Sequence, residues 1–379
     1  MKMDVIVEDG QAALDAILAS FTETPAFTPE QLEGSFWRLF DISGRLLSPF
    51  MVLAPQGLVG NPGTGAVDLW QIVNGQLCFT AGNGTPSVIF KHVRRDEEGR
   101  IINFAGRGII DGVEALYLLR AVEHPEHPLY ATPASAPRSA TFLKQKPAGT
   151  LRPNLVVLPA GPESLHDRWF EDFSTMPLTR NWDLCIGWYG QDRPDMGMEC
   201  DYLAHIPQTK KFRLIHDLFH ADSPLWNYEA IWLPDDDLLA TGNGINRMFH
   251  LFRKFGLDLG QPSLLEGEDC FPNHPVTIRR AGSDVRYEPF VEIMCPVFSR
   301  RALKICIGSM RDVESGYGLD HLWPAFLGHP RGRMGIIDGS AVIHTRPIGF
   351  SYDIRRAIHE QQEVWKAYNH SMRRIDGVV

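Results

Sequence analysis

The sequence predicts an α/β protein: a mainly parallel open sheet with helices on both faces, preceded by a small antiparallel domain of β-sandwich or partly open barrel form. Three observations predict it. Tyr228 to Leu238 reads YEAIWLPDDDL, an apolar strand ending in three consecutive aspartates, within a region where strand and helix patterns alternate. Such alternation builds parallel sheets. The first third of the chain instead carries short β runs separated by glycine turns, the pattern of an antiparallel meander. Between them His124 to Pro153 holds Pro125, Pro128, Pro133, Pro137, Pro147 and Pro153, a density that neither a helix nor a central strand tolerates. The expected organisation is a β-rich accessory domain over 1–123, a linker over 124–153, the α/β domain over 154–350 and a C-terminal helix over 351–379.

In order along the chain, Gln11 to Phe21 predicts a short helix. Trp37-Arg-Leu-Phe-Asp-Ile-Ser-Gly44 and Trp70-Gln-Ile-Val-Asn-Gly75 each start a strand on a tryptophan and turn on a glycine. The two rings are candidates for a sugar-stacking platform, but core filler of a small β domain is the favoured reading, because large aromatics dominate small β cores. After the linker, Leu155 to Leu158 and Asp183 to Trp188 predict strands, with a turn at Pro159 to Pro162 and a helix over Ser164 to Phe173 between them. A helix over Phe212 to Leu218 precedes the aspartate strand. Leu257 to Pro262, Val276 to Arg280 and Val291 to Phe298 read as strands, the last leading into a helix from Ser299. Ser315-Gly-Tyr-Gly-Leu-Asp320 opens another helix, Met334 to His344 is the last strand, and Asp353 to Met372 an amphipathic helix.

With 379 residues the chain is long enough for two cores. Its apolar fraction of 44% and charged fraction of 22% are those of a globular protein, and a net charge of -9 argues against a general nucleic-acid binder. No basic stretch leads into an apolar run near Met1, and no stretch of about 20 apolar residues occurs, so neither an export signal nor a transmembrane span is expected. The six cysteines form no CxxC pair and read as reduced residues of a cytoplasmic protein.

The chemistry concentrates in a few acids. Adjacent aspartates repel one another in a partly desolvated site, so Asp235, Asp236 and Asp237 call for a cation or for full exposure as a solvated turn. Asp320, after a Gly-x-Gly turn at a helix start, suits a general base or a helix cap. Glu292 lies in an apolar run and needs a purpose, or an ion pair with Arg279, Arg280 or Arg300. His344 ends the last strand. Oxygen and imidazole donors together suit Mn²⁺ or Mg²⁺. Lys210, Lys211 and Arg213 offer positive charge for a phosphate, or are surface residues. The turn at Pro159 to Pro162 carries neither a dinucleotide fingerprint nor a P-loop, which disfavours a kinase or ATPase.

Gln208-Thr-Lys210, Tyr228 through the acids to Leu238, Phe290-Val-Glu292-Ile-Met-Cys-Pro-Val-Phe-Ser299, Gly316-Tyr-Gly-Leu-Asp320 and Gly335-Ile-Ile-Asp338 running to His344-Thr-Arg-Pro347 occur in one order. Over about Asn154 to Gly349 this resembles a plant and bacterial family of glycosyltransferase-like proteins, long labelled a domain of unknown function, with the GT-A type of nucleotide-diphospho-sugar transferase fold. Plant members often read Asp-Glu-Asp at the triplet and lack the N-terminal β module, which leaves the acceptor open. The resemblance implies Asp237, Asp235 and His344 as ligands of Mn²⁺ or Mg²⁺, and Asp320 as the catalytic base, with Glu292 hydrogen-bonding the donor sugar or the acceptor or serving as the base in its place. It also implies a donor-sugar site at Asp235, Asp236, Lys210, Pro159, Ala160, Gly161 and Asp183, with Asp183 or Tyr189 at the base.

The function so implied is transfer of a sugar from a nucleoside diphosphate, UDP being the expected carrier, to a hydroxyl of a carbohydrate or other acceptor. Alternatives with the same metal chemistry are a nucleotidyltransferase or nucleotide-sugar hydrolase, though the basic glycine-rich loop of sugar nucleotidyltransferases is missing after the first strand. A glycosidase would use two carboxylates without a metal. The non-enzymatic alternative is an inactive core whose β module binds carbohydrate.

Overall fold

The computed structural model describes residues 19, 21–23, 28–124, 140–174, 179–267, 270–347, 349, 352–368 and 370. Most of the expected first helix, and Pro125, Pro128, Pro133 and Pro137 of the expected linker, lie outside them. The chain forms two compact units, one drawn from 1–125 with 325–329 and 368–371, the other from 126–324 with 330–367 and 372–379.

The first unit is one antiparallel sheet of β1 (Thr22–Glu23), β2 (Phe36–Asp41), β3 (Leu46–Leu53), β4 (Val59–Gly60), β5 (Leu69–Val73), β6 (Gln76–Thr80), β7 (Pro86–Arg95), β8 (Ile101–Ile110) and β9 (Val113–Ala121). Its order is β4-β3-β2-β9-β8-β7-β6-β5, with β1 paired to β7. A single bridge, Leu58 opposite Leu69, brings the two ends of that order together, so the sheet curls almost into a barrel. Two hairpins turn on Asn74-Gly75 and Asp111-Gly112, with φ of 50° and 77°, and of 50° and 79°. Positive φ at both positions is what a tight two-residue turn demands, hence the Asn-Gly and Asp-Gly pairs. The core holds Leu39, Leu77, Phe79, Phe90, Phe104 and Leu119. Trp37 and Trp70 belong to it, 2% and 3% exposed, with the Trp70 indole donating to the Ala54 carbonyl. Both rings are therefore core, as the favoured reading expected, and the alternative of a stacking platform falls away.

The second unit contains β10 (Phe142–Lys144), β11 (Asn154–Ala160), β12 (Trp182–Trp188), β13 (Tyr202–His205), β14 (Ala230–Trp232), β15 (Leu238–Leu239), β16 (Leu259–Leu264), β17 (Arg286–Tyr287), β18 (Val297–Ser299) and β19 (Met334–His344). Their order is β10-β13-β12-β11-β14-β18-β16-β19-β15, with β17 on β19. The sheet is mixed. Strands β13, β12, β11, β14, β16 and β19 run one way, while β10, β18, β15 and β17 oppose them. Every residue of β11 is buried, as expected of a strand covered on both faces. The helices are α1 (Lys211–Leu218), α2 (Gly242–Lys254), α3 (Arg300–Cys306), α4 (Leu319–Phe326) and α5 (Ile354–Ala367). Thr241 caps α2 and Ser299 caps α3, each hydroxyl accepting a backbone amide.

Three element assignments are corrected. Ser164 to Phe173 is a 3-10 helix over His166–Ser174. Val276 to Arg280 is not a strand but a 3-10 turn, Pro275–Thr277, started by a proline and followed by one bridge at Ile278. Of Val291 to Phe298 only the end is strand. Pro296 lacks an amide for the ladder, and the Glu292 amide donates instead to the Gln261 side chain at 2.6 Å. The expected linker also ends in structure, since Phe142–Lys144 pairs with β13.

Two details position the site. After β11 the chain adds β12 and then β13 on one side, and returns to add β14 on the other. This reversal opens a crevice outside the carboxyl ends of the strands, where open α/β sheets bind ligands. Along β16 and β19, Pro262 lies opposite Ile337 but the next residue, Ser263, lies opposite Ala341. Asp338, Gly339 and Ser340 are looped out between them.

Candidate functional site

A cavity of about 950 Å³ opens at this carboxyl edge. Pro159 closes one side from the end of β11, and Tyr189 follows β12. Asp235, Asp236 and Asp237 follow β14, and His344 ends β19. Glu292 enters from the irregular segment before β18, whose antiparallel direction puts its amino end on the same edge. Eight carboxylates line the cavity (Asp235, Asp236, Asp237, Glu292, Glu314, Asp320, Asp353 and Glu360) against four cations, Lys210, Lys211, Arg346 and Arg356.

The three aspartates diverge. Asp235 Oδ1 accepts from Lys211 Nζ at 2.6 Å. Asp236 accepts from the Tyr189 hydroxyl at 2.6 Å and lies 3.5 Å from an Arg346 nitrogen. Asp237 Oδ2 lies 3.5 Å from His344 Nε2, and its Oδ1 is buried without a partner. His344 Nδ1 stands 2.7 Å from the Phe271 carbonyl. A carbonyl can only accept, so Nδ1 carries the hydrogen and Nε2 faces Asp237, the arrangement a second-shell carbonyl imposes on a ligating histidine. Although burial opposes it, the hydrogen bond and charge of Asp237 raise the His344 pKa.

Asp237, His344 and the exposed face of Asp235 are thus donors of the right chemistry for a hard divalent ion, and the orphaned Asp237 Oδ1 fits one. As the side chains stand, Lys211 engages Asp235. Among the described residues no group of three or more His, Cys, Asp or Glu side chains is gathered closely enough to hold a metal.

Glu292 and Asp320 form the second acidic element. Glu292 is 2% exposed. Its Oε1 accepts from Asn273 at 2.6 Å while Oε2 is buried with no partner. Burial pushes its pKa up to about 7, opposed by the Asn273 bond and assisted by the charge of Asp320. Burial likewise pushes Asp320 up to about 6, against the pull of His274 and nearby amides. His274 and His321 flank the Phe290 ring at 4.8 and 5.7 Å, and burial lowers both imidazoles. The turn before Asp320 is held from α5. Glu360, 1% exposed, accepts the amides of Glu314, Ser315 and Gly316 at 2.9 to 3.2 Å.

Of the residues expected at a site, Asp320, Glu292, Asp235, Asp236, Asp237, Lys210, Pro159 and His344 all line the cavity. Ala160 and Gly161 do not, though a Cβ on Gly161 would meet the Tyr189 ring at 2.5 Å. Asp183 is corrected: it is the second residue of β12, at its amino end, fully buried and bound by Lys146, Arg152 and Tyr228. A residue there cannot meet a ligand at the carboxyl edge. The solvated-turn reading of the triplet also gives way, since Asp237 is 8% exposed. Glu292 pairs with none of Arg279, Arg280 or Arg300, its bonded partner being Asn273. Sequence reasoning missed Arg346, Asn273, His274 and Glu360; only Arg346, two residues beyond His344, carried a local signal.

Residues 203–375 match a family model described as "Protein of unknown function (DUF707)", a span beginning and ending later than the expected one. None of the curated proteins matches. Among solved structures, that of S. aureus TarS 1-349 is 8% identical and aligns with a TM-score of 0.32 over 50% of this chain and 59% of that one. That of S. aureus TarS is 11% identical, with a TM-score of 0.34 over 59% of this chain and 44% of that one. The chain therefore spans about half the length of these structures. Among the described residues no helix is long and apolar enough to cross a membrane.

Proposed function

We propose that the second unit is a glycosyltransferase of the GT-A type, moving a sugar from a nucleoside diphosphate, UDP being the expected carrier, to an acceptor hydroxyl. The observation that carries this is the pairing, in one cavity at the reversal of strand order, of an acidic triplet with two carboxylates of raised pKa. A diphosphate would be repelled by eight carboxylates facing four cations, so the reading includes Mn²⁺ or Mg²⁺ at Asp237, His344 and Asp235. When bound, that ion supplies counter-charge to the departing diphosphate.

The chain's own groups do the rest. Asp320, ionised above about pH 6, accepts the acceptor proton as its oxygen bonds the anomeric carbon. The bond from that carbon to the phosphate oxygen breaks, and the nucleoside diphosphate leaves with the electron pair. Glu292, with a pKa of about 7, keeps a proton over much of the working range and can donate to a sugar hydroxyl through Oε2. Tyr189 and Arg346 hold Asp236 and close the donor side.

The test is a thermal-shift titration with UDP, GDP and their sugars, with and without Mn²⁺, on the protein and on Asp237→Ala. Stabilisation that needs nucleotide and metal together, and disappears in the variant, is the expected result. No shift with any pair overturns the reading. With a donor in hand, the initial rate should rise with pH through about 6 as Asp320 loses its proton, and Asp320→Asn should abolish that limb.

A further inference from the structure

Lys211 is the first residue of α1, which lacks a side-chain cap at Lys210. A cation at this end opposes the helix dipole, which favours negative charge there. The side chain is nevertheless fixed. Its Nζ donates to Asp235 Oδ1 at 2.6 Å and to the carbonyls of Ile293 and Met294 at 2.9 Å each. An ammonium has three protons, so these acceptors use all of them. The Lys211 side chain is 15% exposed and that of Asp235 35%, so the pair is sheltered while part of the carboxylate still faces the cavity.

We propose that Lys211 is the resident counter-cation of Asp235, tethered by the chain, and that a divalent ion entering the cavity competes with it for that carboxylate. The inference deepens the cation part of the reading above and rests on it. Lys211 neutralises only one of the acids. Asp237 Oδ1, buried and unpartnered on a residue that lines the same cavity, lies outside its bonds and keeps oxygen lone pairs for a cation. Two of its three acceptors are backbone carbonyls, which hold the ammonium in place independently of the carboxylate. Occupancy by Lys211 therefore lets the acidic wall persist without an added ion, and weakens the affinity for one.

The experiment is calorimetric titration with MnCl₂ alone, together with melting curves in EDTA and in Mn²⁺, on the full chain, Lys211→Met and Lys211→Met/Asp235→Asn. Lys211→Met should bind Mn²⁺ about tenfold or more tighter than the unsubstituted chain, since a unit positive charge is removed beside the site. It should melt several degrees lower in EDTA and recover in Mn²⁺. The double variant should melt higher than Lys211→Met in EDTA and lose the gain in Mn²⁺ affinity. Should Lys211→Met not fold, Lys211→Gln, whose amide can still donate to the two carbonyls, gives the same comparison. Unchanged Mn²⁺ affinity, with equal melting in EDTA and Mn²⁺, overturns the proposal. No nucleotide enters these titrations, so their outcome is separate from a failure of the transferase reading.

Discussion

The two edges of the second unit's sheet bury the same kind of side chain in opposite ways. At the amino end Asp183 receives Lys146, Arg152 and Tyr228, and despite the penalty of burial these bonds hold its pKa below the ordinary carboxylate range. Asp258 is held low in the same way by Arg301 and Arg333. At the carboxyl end Glu292 has one donor and an orphaned oxygen, and Asp320 accepts the amide of its own neighbour. Both are pushed up. Saturated carboxylates hold the sheet together, and unsaturated ones at the cavity are left for a ligand. The first unit has one buried carboxylate among its described residues, Asp41, which accepts from Ser43 and Arg45 and, despite burial, is likewise held low.

The contrast can be broken at its strongest point first. Asp183→Ala takes away the carboxylate shared by Lys146, Arg152 and the Tyr228 hydroxyl, leaving Lys146 only Asp201 and Tyr228 only Tyr202, and should cost about 3 kcal/mol in urea unfolding. A loss near zero would erase the distinction between the edges. Next, Glu292→Gln should stabilise the protein at pH 8 by on the order of 2 kcal/mol, and leave it unchanged near pH 4. The sign follows from a folded pKa raised from 4.5 to about 7: between those values the folded chain holds a proton that the unfolded chain has released. Stability from this group therefore falls as pH climbs through that window. Gln, neutral throughout, removes the slope, and an unchanged pH–stability curve would show Glu292 to be satisfied after all. Smallest, Arg45→Ala in the first unit should change stability by less than about 1 kcal/mol, because its partner is Asp41 but its own side chain is 62% exposed.

Much of this was legible along the chain. Apolar runs marked β11, β12, β14 and β19; the Gly-x-Gly turn marked the start of α4; the acids after β14 and His344 at the end of β19 stood where strand ends would carry them. What escaped was set by distant residues. Asp183 is expected at the strand end although it opens the strand, and its register beside Leu155, the second residue of β11, fixes it at the amino end. The apolar run around Glu292 suggested a strand, but Pro296 and the Gln261 side chain made it irregular. Lys211 on Asp235 and Glu360 on the 314–316 amides join positions 24 and about 45 residues apart, and neither spacing is periodic.

The three residues looped out of β19 have a consequence of parity. Strand side chains alternate between faces, so a looped-out segment of odd length changes which residue numbers before and after it share a face. Ile337 and Ala341, an even number apart, lie opposite successive residues of β16 and so face opposite ways. His344 accordingly shares a face with Ile337, whereas in an unbroken strand it would be turned away. Because these residues lie outside the ladder, deleting all three should leave Ala341 opposite Ser263 and the imidazole on its present side of the sheet. The histidine's place in the cavity is thus set by which residue resumes the pairing with β16.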